Sequence, residues 1–201
     1  MKPQQPGAEV KAKILAAAKA LFAERGYEGT SVRDICERAN VALALVSYHF
    51  GGKEGVFFAI FEPLQRLFGE LRFDLSDPEA ALGQFARRFV RYRHEEAELL
   101  NVLQQEMMMN SPRLPRLTGA IHPTWRHLAD ILRAGAAQGR FRFNSLPMAT
   151  HFIVGTLIFS RMNPFVLPEL ASPAGEQMPL SQEEAAEMAV RYILQGLRDD
   201  R

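Results

Sequence analysis

Residues 30–54 read TSVRDICERANVALALVSYHFGGKE, and the spacing inside this stretch decides how the rest of the chain is read. Ser31 and Asp34 stand in the S-x-x-D relation of a capping box, which starts a helix of about eight residues burying Val32, Ile35, Cys36 and Ala39. Asn40 follows, a residue that tolerates the left-handed conformation a tight interhelical turn demands. A further helix then runs from about Ala42 to His49, roughly 12 Å long, until Gly51-Gly52 breaks it. Two short helices joined by a tight turn and braced by a longer one before them make a helix-turn-helix module.

Upstream, Val10, Ile14, Ala18, Leu21 and Phe22 recur at helical intervals, which predicts a helix of about 16 residues ending before Gly26. Downstream, a fourth helix is expected from near Lys53 through Val56, Phe57, Ile60, Phe61 and Leu64, kinked at Pro63. Asp77-Pro78-Glu79 is a helix start, and Phe85, Phe89 and Tyr92 then share a face. Ser111-Pro112 and Ser145-Leu146-Pro147 repeat that start signal, and Gly139 reads as a stop. The proline-rich segment 163–180 reads as a loop, and Ser181 with Glu184 opens a final helix striped by Ala186, Val190, Ile193 and Leu197. No strand alternation or internal repeat interrupts the pattern. The expectation is an all-α protein of about nine helices, with a helix-turn-helix unit over 1–51 and a larger helical unit over 52–201.

Composition bounds what such a chain does. Its 201 residues are 47% hydrophobic and 23% charged, and 24 Lys+Arg offset 23 Asp+Glu to a net charge of +1. A near-zero average field excludes polybasic binding of nucleic acid, so any anion binding is local. Cys36 is the one cysteine, which excludes a disulfide scaffold and fits a reducing compartment. The first seven residues lack the apolar stretch of a signal peptide, and the longest strongly apolar run, Phe152–Phe159, has eight residues, too few for a membrane span. A soluble cytoplasmic protein without membrane attachment is expected.

Catalytic and nucleotide-binding motifs are absent from the sequence, as is the Glu-x-x-His pair of di-iron bundles. No enzyme, metal or cofactor is expected. His94-Glu95-Glu96 are consecutive helical residues that point about 100° apart and read as a solvated face. Arg87, Arg88, Arg91 and Arg93 interleave with an apolar stripe and read as its flank rather than as a phosphate patch. Cys36 reads as a small buried thiol.

In the third helix Val41 and Val46 face inward, with Leu45 and Phe50 as additions, leaving Leu43, Ala44, Ser47, Tyr48 and His49 outside. An exposed Leu and Ala beside Tyr are poorly placed against water and well placed against thymine methyl groups in a major groove. Ser31, Lys53 and the N–H groups opening the fourth helix are placed to hold phosphates, and Arg33 is the long base-edge donor near this face.

Residues 9–62 resemble the DNA-binding domain of the TetR family of transcriptional regulators. The resemblance rests on the A-x-x-L-F-x-x-x-G-Y ending of the first helix, T-S-V-R-D-I in the second and Y-H-F-G-G-K-E closing the third. More weakly, residues 104–126 (QQEMMMNSPRLPRLTGAIHPTWR) and VGTLIF look like the effector domain of the CecR-like subgroup. The resemblance implies base contacts by Arg33, Leu43, Ala44 and Tyr48, and phosphate contacts by Ser31, Ser47, His49 and Lys53. Two positions depart from the family pattern: Ser47 replaces a common phosphate-contacting aromatic, and Ala42 replaces the usual polar cap of the third helix. The resemblance also implies a palindromic double-stranded DNA operator, repression relieved by a small-molecule effector in the 52–201 unit, and tilting of the shared fourth helix as the lever between them. The reading heads of a dimer must lie roughly 34–36 Å apart to meet one turn of DNA.

Phe152–Phe159 is apolar on every side and must be covered all round. Its second face is expected to meet the same helix of another copy, with the last helix completing a four-helix homodimer interface. An effector pocket is expected from Phe89, Met107, Met108, Met109, Trp125 and Phe152, with Glu106, His122 and Arg126 as polar partners; such a lining suits an apolar or aromatic effector. The alternatives are a helical small-molecule-binding protein without operator affinity, or a helical enzyme using Glu106 and His122 as an acid-base pair.

Overall fold

A computed structural model describes residues 6–159 and 181–198. Among these residues the chain forms ten helices and no strand: α1 (Pro6–Arg25), α2 (Val32–Ala39), α3 (Leu43–Phe50), α4 (Lys53–Ala59), α5 (Glu62–Glu70), α6 (Pro78–Glu95), α7 (Ala97–Met108), α8 (Leu114–Ala137), α9 (Leu146–Phe159) and α10 (Gln182–Leu197). The all-α expectation is met. The expected loop over 163–180 lies outside the described residues. Contacts group the chain into two compact units, one running to Glu70 and including Glu96–Pro123, the other made of Leu71–Glu95 and the chain from Thr124 onwards.

In the first unit the α1 stripe closes on α2 and α4. Ile14, Ala18, Leu21, Phe22, Ile35, Val46, Val56 and Phe57 are all buried, each large apolar side chain contributing roughly 1.5–3 kcal/mol. Gly26, at φ +70°, ends α1 with its N–H on the Phe22 carbonyl. The buried Thr30 hydroxyl donates back to the Gly26 carbonyl at 2.9 Å, fixing the turn into α2.

The expected fourth helix is two helices. Proline at 63 has no N–H to donate and its ring crowds the carbonyl of residue 59, so α4 ends at Ala59 and Pro63 falls in the first turn of α5. Ser111 also departs from expectation. Its hydroxyl donates to the buried Glu106 carboxylate instead of capping a helix, and α8 begins at Leu114.

In the second unit α10 packs along α6, with Leu82, Phe85, Phe89, Leu128, Leu132, Ile153, Leu157, Val190 and Ile193 in the core. Arg87 pairs with Glu187 across that contact. Arg93, read from sequence as flanking, is buried. Its Nη1 donates to the Leu157 and Ile158 carbonyls at 3.1 and 3.2 Å and so caps the C-terminal end of α9. Gly139, at φ +69°, stops α8 as expected. Gly135 has a different role: a Cβ there would lie 1.9 Å from the Phe141 ring, so only glycine admits that aromatic side chain. The Ser181–Glu184 capping box opens α10 as its sequence predicts.

Candidate nucleic-acid interface

The site is built from α2, α3 and the start of α4. Ser31, extended at φ −104° and ψ 161°, caps α2 reciprocally. The Asp34 N–H donates to Ser31 Oγ at 3.1 Å, and the Ser31 N–H donates to Asp34 Oδ2 at 2.7 Å. The Ser31 hydroxyl also donates to that oxygen at 2.6 Å. Hydrogen bonds from the Ser31 hydroxyl, then from its backbone N–H, hold the Asp34 carboxyl below the usual carboxylate range. The cap is therefore intact at neutral pH and loosens as pH falls through that lowered value.

Asn40 takes the left-handed conformation expected of it, φ 52° and ψ 54°, and returns its N–H to the end of α2. Ala42 precedes α3 without any side-chain cap, and Gly51, at φ +71°, closes the helix with its N–H on the Ser47 carbonyl at 2.9 Å. Only Val46 in α3 is fully buried. Leu43 is 54% and Tyr48 82% exposed; Ala44 and Ser47 are exposed too, while His49 is half-buried against the Tyr48 ring. Arg33 is exposed on α2 and lines one shallow groove with Leu43. The structure thus brings Arg33, Leu43, Ala44, Ser47 and Tyr48 onto the α2–α3 surface.

Lys53 is half-buried, with its ammonium 4.0 Å from the centroid of the Tyr27 ring. Gly55 lets α4 begin this close to α3, since a Cβ there would strike the Phe50 carbonyl oxygen at 1.7 Å. Sequence reading missed Tyr27 and Gly55 as parts of this site. The G-Y dipeptide ending the α1 motif was the available signal for the first.

The residues expected to line an effector pocket are divided between the two units. Phe89 and Trp125 meet, with ring centroids 5.6 Å apart in the second unit. Phe152, in that unit, is 68% exposed on α9, and Arg126 is exposed on α8. In the first unit Met107, Met108 and Met109 are exposed because Leu99, Leu100, Val102, Leu103 and Glu106 already occupy the buried face of α7. Glu106 is bound by Ser111 and Arg113 while His122 is exposed, and no hydrogen bond joins Glu106 to His122 among the described residues. Cys36 is buried as expected, and burial raises its thiol pKa. The described residues hold no cluster of three or more His, Cys, Asp or Glu fit for a metal, and no helix among them is long and apolar enough to cross a membrane.

A short helix held against a capped partner, with apolar and hydroxyl groups outward and cations beside it, is the architecture of a helix-turn-helix DNA-reading module. Residues 14–60 match the model described as bacterial regulatory proteins of the tetR family. Residues 78–167 match a tetracyclin repressor-like C-terminal domain rather than a model named for the CecR-like subgroup. The chain belongs to the TetR family. It is 28% identical over 156 residues to the HTH-type transcriptional repressor NicS of Pseudomonas putida, covering 73% of this chain and 72% of that protein. It is 27% identical over 203 residues to the HTH-type transcriptional repressor KstR2 of Mycolicibacterium smegmatis, covering 97% and 93%. The solved structure of HlyIIR, a hemolysin II transcriptional regulator, superposes with a TM-score of 0.76 at 29% identity, covering 96% of this chain and 99% of that one.

Proposed function

We propose that the protein is a dimeric, ligand-responsive transcriptional repressor working in the cytoplasm, not an enzyme, and that it reads a palindromic operator with residues 42–49. The observation that carries this reading is the outward face of α3. Leu43, Ala44, Ser47 and Tyr48 are exposed together on a helix of eight residues, short enough to enter a major groove and carrying groups that suit base edges and thymine methyls. Arg33 adds a base-edge donor, and Ser47, His49 and Lys53 take the backbone phosphates, Lys53 with a full positive charge. Ser31 joins them by turning its hydroxyl proton from Asp34 to a phosphate oxygen on binding.

The exposed faces of α9 and α10 support a homodimer, since Phe152, Met148, Met188 and Tyr192 form apolar surface with no covering element among the described residues. The Phe89–Trp125 pair supports an apolar or aromatic effector in the 52–201 portion, with residues 1–51 as the reading head. The KstR2 and NicS relatives are named as repressors, which favours repression over activation. A gel shift on the DNA directly upstream of the coding region tests the reading. A retarded band that disappears steeply with added salt is expected, and no band at low salt contradicts it.

A further inference from the structure

Tyr27 carries two cations. The Lys53 ammonium lies 4.0 Å and the Arg113 guanidinium carbon 3.8 Å from its ring centroid. Phe22 and Phe57 hold the ring in place, with centroids 5.8 and 5.0 Å away. Like charges on one ring repel unless one of them is neutralised, and Arg113 is neutralised. Its Nε and Nη2 donate to the two Glu106 oxygens at 2.9 and 3.2 Å, and its Nη1 donates to Glu28 at 3.1 Å. The Arg113 side chain is 12% and that of Glu106 3% exposed, and the Ser111 hydroxyl fixes Glu106 further. Lys53 forms no ion pair among the described residues. The first unit therefore contains a stacked column: a largely covered, compensated guanidinium on the Tyr27 ring, and an ammonium without an ion-pair partner among the described residues resting on the same ring.

We propose that Arg113, far along the chain from the helix-turn-helix, is a positioning residue for DNA-backbone binding: it fixes Tyr27, and through Tyr27 sets where the Lys53 ammonium meets a phosphate. A flexible lysine on an unsupported ring loses side-chain entropy on every encounter with DNA, whereas one resting on a fixed ring has already lost it. The planar, weakly hydrated guanidinium suits the role because it stacks and forks at once, which an ammonium does not. The inference rests on Lys53 being a phosphate contact. It gives Glu106 and Ser111, read from sequence as pocket and cap residues, a shared task in holding Arg113.

The test uses the full-length chain and a fluorescein-labelled duplex of arbitrary sequence, since phosphate contacts dominate non-specific binding. Wild type, Lys53→Ala, Arg113→Lys and the double variant are titrated by anisotropy at several salt concentrations. Arg113→Lys keeps a charge against Glu106 and loses the stack. Lys53→Ala should weaken binding on the order of fivefold and lower the salt slope by about one. Arg113→Lys should reproduce most of both losses, and the double variant should bind no more weakly than Lys53→Ala alone. Wild-type affinity and slope in Arg113→Lys, or losses that multiply in the double variant, overturn the inference while leaving the operator reading intact. A Lys53→Ala protein indistinguishable from wild type overturns the phosphate role of Lys53 and the inference with it. If Arg113→Lys lacks wild-type helix content by circular dichroism, the Glu106→Gln/Arg113→Met pair, which removes both buried charges together, replaces it with the same expectations.

Discussion

Two faces of this molecule expose large apolar side chains, and they are suited to different partners. On α3, Leu43 and Tyr48 stand out on a helix of eight residues. On α9 and α10, Phe152 and Tyr192 are 68% and 70% exposed along helices of 14 and 16 residues. The first face has Arg33 and Lys53 at its margins. The second borders a groove of about 740 Å³ whose described lining contains Phe152, Ile153, Tyr192, Ile193 and a single charged residue, Arg142. Exposed apolar area is what a binding surface presents, and the groups beside it separate the partners proposed for the two. Cations next to a narrow face suit a polyanion with a groove, while a long, nearly uncharged face suits a copy of itself.

The contrast breaks most visibly at Phe152. Phe152→Glu places a charge where the two copies are proposed to meet, and should convert the dimer to a monomer in sedimentation without loss of helix content. A monomer has one reading head, so affinity for the upstream DNA fragment should fall by roughly a hundredfold or more through lost bivalency. A variant that stays dimeric would mean that this face serves another partner. Tyr48→Ala probes the other face with a smaller effect. It should leave the dimer intact and weaken operator binding by roughly 1–3 kcal/mol, with relaxed sequence preference. If the loss is equal on operator and arbitrary DNA, Tyr48 contacts backbone and not bases.

The same contrast explains which parts of the chain were legible in the sequence. The helix-turn-helix was, because its signals are local: the Ser31–Asp34 box, the left-handed Asn40 and the Gly51 stop each act within a few residues of themselves. The apolar run of α9 was legible as well, although its exposure depends on α10 covering only part of α9. What escaped involves partners distant in sequence. Arg93 reads as a flanking charge until the carbonyls of Leu157 and Ile158 are placed against it. Met107–Met109 read as a pocket until the buried face of α7 is seen to be already filled. Arg113 carries no signal for its place beside Tyr27, since Tyr27 and Glu28 lie in the turn after α1, with Glu28 85 residues away in the chain. Pro63 gave a clear signal whose strength was underestimated: a proline ending one helix and opening the next gives two helices, not a bend.

The smallest expected effect sharpens the account of α3 itself. α2 has a reciprocal side-chain cap and α3 has none, although Ala42 already sits at φ −68° and ψ 142°, the extended geometry that a capping residue needs. Ala42→Ser should therefore supply an acceptor for the free N–H groups of the first turn without moving the backbone. The expected gain is about 0.5–1 kcal/mol, a rise in Tm of about 1–4 °C for a chain of this length. If the free reading helix frays at its first turn, the same substitution should also tighten DNA binding slightly, because Leu43 and Ala44 then enter the groove already ordered. An unchanged Tm would mean that burial of Val46 and the Gly51 closure fix α3 by themselves, and that its missing cap costs the fold nothing.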